Sequence, residues 1–461
     1  MTTGSDTAFR TLNPATGELL ETFASASGAE VEHALARAER AAADWRRRSF
    51  EERGVPLRAA ARLLEQGASE LGRTMAIEMG KPIAQGEGEA KKCAATCTFF
   101  AEHAATLLAP EDRPSDAKKS FVRFDPLGVI FAIMPWNFPL WQVFRAAAPA
   151  LMAGNAMVLK HAANVPRCAI AIARIFAEAG LPEGLFSSLF IDHETAMRLV
   201  EDRRVAGVTL TGSDRAGRGV GERAGRALKK CVLELGGSDP FVVLDDADVE
   251  RAAKVAAEAR LLNSGQSRIA AKRFNATAKV YDAFLDRFAA EMKARTIGDP
   301  LASDVQVGPL AREDLRAALH RQVEASRAAG ARAVLGGEIP SGPGWFYPPT
   351  VLTGVEPAMP AFDEETFGPV AAVIRAPDEE AAIDLANQSR YGLGASIWTR
   401  DLARAEKIAA RIDAGAVFVN GLVKSDARLP FGGIKESGYG RELGREGVRE
   451  FVDVKTVWMA E

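Results

Sequence analysis

The residues best equipped for chemistry lie in turn-rich runs of a 461-residue chain. Asn137 sits between two prolines in PWNFP at 135–139, a setting in which a side-chain amide is a preorganised hydrogen-bond donor. Glu234 ends the apolar run CVLELGG, so its carboxylate stands at a strand end against flanking glycines instead of on a solvated face. An amide donor and a carboxylate belong to carbonyl chemistry. A nucleophile makes the carbon tetrahedral, donors hold the oxyanion, and a carboxylate activates the water that releases an acyl group. Other searches yield less. Gly217, Gly219 and Gly221 cluster, but Ala224 stands where a dinucleotide fingerprint needs its last glycine, so they read as helix packing. His33, His103, His161, His193 and His320 lack ligand spacing, and Cys93 with Cys97 is one helical pair, so no metal is expected. Asn275-Ala276-Thr277 matches a glycosylation pattern by coincidence.

Seven motifs come in order: PWNFP, LKHAANVP at 159–166, TGS at 211–213, LELGGSDP at 233–240, NSGQS at 263–267, EETFGP at 364–369 and LPFGGIKESGYGREL at 429–443. In this order and spacing they resemble the aldehyde dehydrogenase superfamily, from near Asn13 to the last strand. KHAANVP, NSGQS-x-IAAKRF and SDARLPFGGIKESGYGREL are most similar to its succinate-semialdehyde dehydrogenase branch. The resemblance implies an oxidoreductase that takes a small-molecule aldehyde, succinate semialdehyde or a related short ω-carboxy aldehyde, to the acid with NADP or NAD. It makes Glu234 the general base and Asn137 the oxyanion donor. It gives Lys160 the adenosine ribose or phosphate, and it sets Gly212 and Ser213 at the helix facing the pyrophosphate. Glu365 and Phe367 then hold and pack the nicotinamide ribose, and Trp136 and Leu235 complete the cofactor set. Ala163 stands where NAD-preferring members carry an acid for the ribose hydroxyls, so a 2′-phosphate is not repelled and NADP is admitted.

Arg145, eight residues after Asn137, and Ser425 of VKSDARLP match the branch's contacts to the substrate's distal carboxylate, which a guanidinium fork suits. A structural salt bridge is the plainer reading of Arg145. Leu262 stands where some semialdehyde enzymes carry a further arginine.

One departure governs the rest. The family carries its nucleophilic cysteine directly after the serine of NSGQS, 34 residues beyond the base, and here that residue is Arg268. Arginine stays protonated, has no lone pair for attack, and sets a cation beside the oxidised nicotinamide ring. Cys93, Cys97 and Cys168 read as helical and Cys231 as buried in a strand, so none replaces the thiol. The expectation is a dehydrogenase impaired or inactive at its covalent step. The alternative is a non-catalytic NAD(P)- or carboxylate-binding homologue, or a subunit of a mixed oligomer. A buried guanidinium needs an anion. Glu234 is the first expected partner of Arg268 and Glu365 the second.

These residues need rigid elements to position them. Val31, Ala34, Leu35, Ala38 and Ala42 recur at helical spacing and Ala-rich runs follow to about Leu108, so the amino-terminal quarter reads as helical. From Val122, runs such as VIFAIM, AMVLK, VAGVTLTG and KKCVLELGG alternate with helices over 165–179 and 214–226. A second series follows Gly237: FVVLDD, a helix over 247–260, a strand around 271–280, a helix to about 295, then AAVIRA, ASIWT and AVFVN. Such alternation makes mostly parallel sheets covered on both faces. With the resemblance, the expected fold is α/β and aldehyde dehydrogenase-like. A Rossmann-type NAD(P)-binding domain spans 1–117 and 129–235, a second α/β catalytic domain spans 236–430, and a small β oligomerisation arm takes 118–128 and 431–461. Two edge-like strands, near 120–124 and 451–457, are expected to pair between subunits in a homodimer or homotetramer.

Composition sets the outer limits. Lys plus Arg total 58 against 61 Asp plus Glu, a net charge of −3, so no field would draw nucleic acid or an anionic membrane. The longest uncharged stretch, 128–144, holds Pro135, Asn137, Pro139 and Gln142 and suits a strand and turn better than a span. MTTGSDTAFR lacks a basic region followed by an apolar core, so no signal peptide is expected. Four scattered cysteines fit a reducing cytoplasm.

Overall fold

The computed structural model describes residues 9–461, so residues 1–8, on which the signal-peptide reading falls and in which the first domain segment opens, lie outside the described residues. The amino-terminal quarter is not helical throughout. Phe9–Leu12 and Leu19–Phe23 form an antiparallel hairpin whose turn includes Gly17 at φ +79°. These runs are too short to show a helical period, and the left-handed glycine closes the turn. Four helices follow: Gly28–Trp45, Phe50–Gln66, Ala68–Met79 and Ile83–Leu107. Ser27 with Glu30 and Ser49 with Glu52 form capping boxes at the starts of the first two.

The first sheet has six strands in the order Gly438–Tyr439, Lys230–Glu234, Val205–Thr211, Val129–Ile133, Ala156–Lys160, Phe186–Ser188. All are parallel except Gly438–Tyr439. The chain builds outward from Val129–Ile133 to Phe186–Ser188, then returns to add Val205–Thr211 on the other side. Strand order therefore reverses between Val129–Ile133 and Val205–Thr211, and in open α/β sheets the crevice beyond the carboxyl ends at such a reversal is where ligands bind. Register aligns those ends: Ile133 pairs with Lys160 and Leu210, and Thr211 with Glu234. Val129–Ile133 has no exposed residue because helices cover both faces.

A second sheet has seven strands, parallel except for its first: Arg332–Leu335, Thr350–Thr353, Val370–Ala376, Arg273–Thr277, Pro240–Val243, Gly394–Trp398, Ala416–Val419. The helices Val249–Leu261 and Tyr281–Lys293 pack with it around Phe241, Phe274, Phe284, Phe288 and Trp398.

The two strands expected to present unpaired edges pair with each other within the chain. Val452–Met459 pairs antiparallel with Lys119–Pro126 along eight positions, from Val452 opposite Pro126 to Met459 opposite Lys119, and Glu111–Asp112 takes the other edge of Lys119–Pro126. Distance in sequence hides this register. Among the described residues the outer edge of Val452–Met459 has no strand partner, and Val454, Trp458 and Met459 are exposed. Between Phe431 and Phe451 the chain returns to the first sheet, where Gly438 pairs with Glu234.

Candidate active site

Asn137 lies in the turn that leaves Val129–Ile133, and its side chain is almost wholly buried. Its Nδ2 donates to the carbonyl of Gln266 at 2.9 Å, and its Oδ1 accepts from Gln142 Nε2 at 3.1 Å. Asn263 Nδ2 donates to the Asn137 carbonyl at 2.6 Å. The amide is thereby locked against the 263–268 loop, in which Asn263 and Ser264 both adopt φ of 55°.

The turn has a buried anchor. Glu89, on the helix Ile83–Leu107, accepts from the backbone N–H groups of Leu140 and Trp141 at 2.9 Å each, and it forms an ion pair with the buried Lys81. This caps the helix Trp141–Ala153, which carries Gln142 and Arg145, with a carboxylate at its positive end. The Lys81 ammonium lies 3.9 Å from the centre of the Phe138 ring.

Glu234 is the last residue of its strand and is buried. Its carbonyl accepts from Gly212 N at 3.0 Å and from Arg268 Nη1 at 2.5 Å. Burial, helped by the nearby Glu442, pushes its carboxyl up to about 8 against the pull of Arg145 and Arg268, a shift that favours the neutral acid.

Arg268 reaches the cavity, but neither expected carboxylate touches it. Among the described residues no acid lies within 4.0 Å of its guanidinium, and its contact is the Glu234 carbonyl. Burial disfavours the ionised form of the Glu234 carboxyl and so weakens its claim on the guanidinium. Burial lowers the Arg268 pKa, and Glu365 and Glu234 oppose this at longer range. Lys272 fixes the loop from below, donating to the carbonyls of Ser267, Arg268 and Ala270 at 3.0, 2.6 and 3.0 Å.

The cavity, about 100 Å³, is lined by Lys92, Asn137, Trp141, Arg145, Glu234, Leu262, Arg268, Ser425 and Phe431, among others. Arg145 lines it while forming a buried ion pair with Glu442 and lying 4.8 Å from the centre of the Phe431 ring. Ser425 Oγ accepts from Lys92 Nζ at 2.8 Å. Cys93, Cys97 and Cys168 are buried in helices away from this lining, and burial pushes Cys97 and Cys231 up to about 12.

The residues assigned to a cofactor lie along the carboxyl ends of the first sheet and the facing loop. Lys160 ends Ala156–Lys160, with Ala163 in the turn beyond. Burial lowers the Lys160 pKa, and among the described residues no carboxylate lies within 4.0 Å of it. Gly212 leads to Ser213, whose Oγ accepts from Ala216 N at 3.3 Å and caps the helix Asp214–Arg226. Leu235 packs on Gly217, where a Cβ would collide with its side chain, so this glycine serves helix packing. Glu365 Oε1 accepts from Gly237 N at 3.2 Å and lies 3.6 Å from Lys272 Nζ. Phe367 meets Trp136 edge to face, with centroids 5.7 Å apart. A desolvated, unpaired ammonium and a helix start on one crevice fit an anionic dinucleotide. Among the described residues no cluster of His, Cys, Asp and Glu could hold a metal, and no helix is long and apolar enough to cross a membrane.

Lys81, Glu89, Lys92, Lys272 and Glu442 escape sequence reading. Lys92 follows Lys91 on an amphipathic helix and looks like a solvated charge; its one signal is adjacency to the apolar Cys93.

Comparison with known proteins places the chain in a family. Residues 1–457 match the profile of the Aldehyde dehydrogenase family. A probable succinate-semialdehyde dehydrogenase [NADP(+)] of Synechocystis sp. is 51% identical over 453 residues, covering 98% of this chain and 100% of that protein. Succinate-semialdehyde dehydrogenase [NADP(+)] 1 of Mycobacterium tuberculosis is 50% identical over 455 residues, with 98% and 99% covered. The crystal structure of succinic semialdehyde dehydrogenase from Streptococcus pyogenes in complex with NADP+ superposes with a TM-score of 0.96 at 37% identity, covering 98% of this chain and 100% of that one.

Proposed function

The chain belongs to the aldehyde dehydrogenase family, and from that premise we propose a succinate-semialdehyde dehydrogenase-type, NADP-binding protein whose covalent step is disabled at Arg268. The observation that carries this reading is the guanidinium of Arg268 in the cavity that Asn137 and Glu234 line, directly after Ser267 of the NSGQS motif. In this reading Asn137 is the oxyanion donor, Glu234 the base for acyl release, and Arg268 stands at the nucleophile's position. Arg145 and Ser425 face the substrate's carboxylate. Trp136, Lys160, Ala163, Gly212, Ser213, Leu235, Glu365 and Phe367 form the cofactor crevice. Bound NADP⁺ supplies the hydride acceptor.

Arg268 interferes twice. It brings no lone pair to the carbonyl carbon, and its hold on the Glu234 carbonyl stiffens the strand end from which the base must reach water. Binding of NADP(H) and of small carboxylates then survives without turnover, in a chain acting alone or as a subunit beside active relatives. We place it in the cytoplasm, given its few unpaired cysteines, and assign a homodimer or homotetramer in which the open edge of Val452–Met459 takes part.

The test is an NADPH-appearance assay with succinate semialdehyde on the purified chain and on Arg268→Cys. The variant should exceed the unaltered chain by at least ~10³-fold in kcat, the scale of losing a covalent nucleophile. Comparable kcat in the two proteins would overturn the proposal.

A further inference from the structure

Four cations line the cavity, and they differ in what holds them. Lys424 is exposed to solvent. Arg145 is neutralised by Glu442, and Arg268 is turned onto the Glu234 carbonyl. Lys92 has neither kind of partner. Its Nζ donates to Ser425 Oγ at 2.8 Å and sits 4.0 Å from the centre of the Trp141 ring, and among the described residues no carboxylate lies within 4.0 Å of it. The acids that it feels at longer range are occupied. Asp426 pairs with Arg428 at 2.6 Å, and Glu89 is taken by Lys81 and two backbone amides. An ammonium has three donors, and a hydroxyl and a ring face leave it able to serve an anion in the cavity. Burial and the repulsion of Arg145 already pull its pKa down to about 8, so its charge is held without compensation until a carboxylate arrives. Leu262, on the same cavity, supplies no charge of its own.

We propose that Lys92, with Ser425 beside it, receives the distal carboxylate of the ligand and is the residue that selects ω-carboxy aldehydes and short dicarboxylates over uncharged aldehydes. Arg145 then serves as a neutralised wall of the pocket, its charge spent on Glu442. The inference rests on the semialdehyde reading of the site, and it moves the main carboxylate contact from Arg145 to a lysine on a different helix. An ammonium one hydroxyl away from the ligand also couples the two residues: Ser425 both accepts from Lys92 and keeps its own O–H for the carboxylate.

Calorimetry on the full chain, with succinate as the probe, tests it without requiring turnover. Lys92→Gln should weaken succinate binding about ten- to thirtyfold, the size of a lost charge-assisted hydrogen bond, while Lys92→Arg stays within about threefold of the unaltered chain. NADPH affinity should not change in either variant, and Lys92→Met replaces Lys92→Gln if the latter no longer binds NADPH. In the Arg268→Cys background, Lys92→Gln should raise KM for succinate semialdehyde by the same factor with kcat unchanged, and leave kcat/KM for butanal within about twofold. Equal succinate affinity in Lys92→Gln and the unaltered chain, no succinate binding at millimolar concentration, or equal losses for both aldehydes would each overturn the assignment. If Arg268→Cys oxidises no aldehyde at all, the failure belongs to the proposed function, and succinate calorimetry on the unaltered chain still decides the role of Lys92.

Discussion

Arg268 Nη1 lies 2.5 Å from the carbonyl oxygen of Glu234, so the two residues meet through backbone and guanidinium instead of through opposite charges. That oxygen also accepts from Gly212 N, which ties the loop bearing Arg268 to the end of the strand Lys230–Glu234 and to the start of the helix Asp214–Arg226. The contact satisfies donors but leaves the positive charge of Arg268 unneutralised at close range. If Arg268 stands at the nucleophile's position, as proposed, this residual charge should set how the pocket treats its ligands.

The first consequence concerns the oxidation state of the cofactor. A cation in the cavity disfavours the positively charged ring of NADP⁺ and is indifferent to the neutral ring of NADPH. The unaltered chain should prefer NADPH over NADP⁺ by a ratio roughly three- to tenfold larger than Arg268→Cys shows, as expected for two charges several ångströms apart in a site of intermediate polarity. Titration calorimetry of both proteins with both cofactors measures it. Equal ratios would mean that the charge is not felt at the nicotinamide.

The cysteines give a faster check. Cys93, Cys97 and Cys168 are buried, and burial pushes Cys97 and Cys231 up to about 12, so no native thiol offers a thiolate at neutral pH. A thiol-reactive chromogenic reagent should find no fast-reacting group in the native chain, one in Arg268→Cys, and all four native cysteines after denaturation. A fast thiol in the unaltered chain would point to Cys231, the least buried of the four, and would reopen the search for a nucleophile.

Arg145 and Glu442 form the buried ion pair of the pocket wall. Removing one partner strands the other charge, so Glu442→Gln should destabilise the chain by about 3–5 kcal/mol, and Arg145→Met with Glu442→Leu should recover most of that loss. Urea unfolding of the three proteins separates the cases. A double variant as unstable as the single one would show that the pair is held for reasons other than charge compensation.

What could be read from sequence was whatever local pattern controls. Strand runs followed by glycine or proline turns put Asn137, Lys160, Gly212 and Glu234 at adjacent strand ends, because parallel sheets align their carboxyl ends. Pairings across hundreds of residues were not legible. Glu442 meets Arg145 and Glu89 meets the amide of Trp141 only because the fold brings separate helices and loops together. Lys92 is hidden for another reason: on an amphipathic helix, a lysine at the edge of the buried face is indistinguishable by type from its exposed neighbour Lys91. The contact of Arg268 is equally illegible, because a sequence displays Glu234 as a charge and not the burial that shifts it toward the neutral acid.

That burial makes the last prediction. Glu234 titrates near 8 in the folded chain and near 4.5 when exposed, so between these values the folded state holds a proton that the unfolded state has released. Stability from this group is fully present below about pH 4.5 and is lost as pH rises through about 8. Asp239, pushed up to about 7 by its own burial, acts in the same direction. Thermal unfolding should therefore show Tm falling from about pH 5 to pH 8, and Glu234→Gln, which cannot ionise, should fall less over that interval, with the remaining slope owed to Asp239. Arg268 is one of the cations that hold Glu234 down, so Arg268→Cys should move the upper end of the interval to higher pH. Identical Tm profiles for the unaltered chain and Glu234→Gln would mean that Glu234 is ionised in the folded state, and with it the account of why Arg268 turns to a carbonyl would fall.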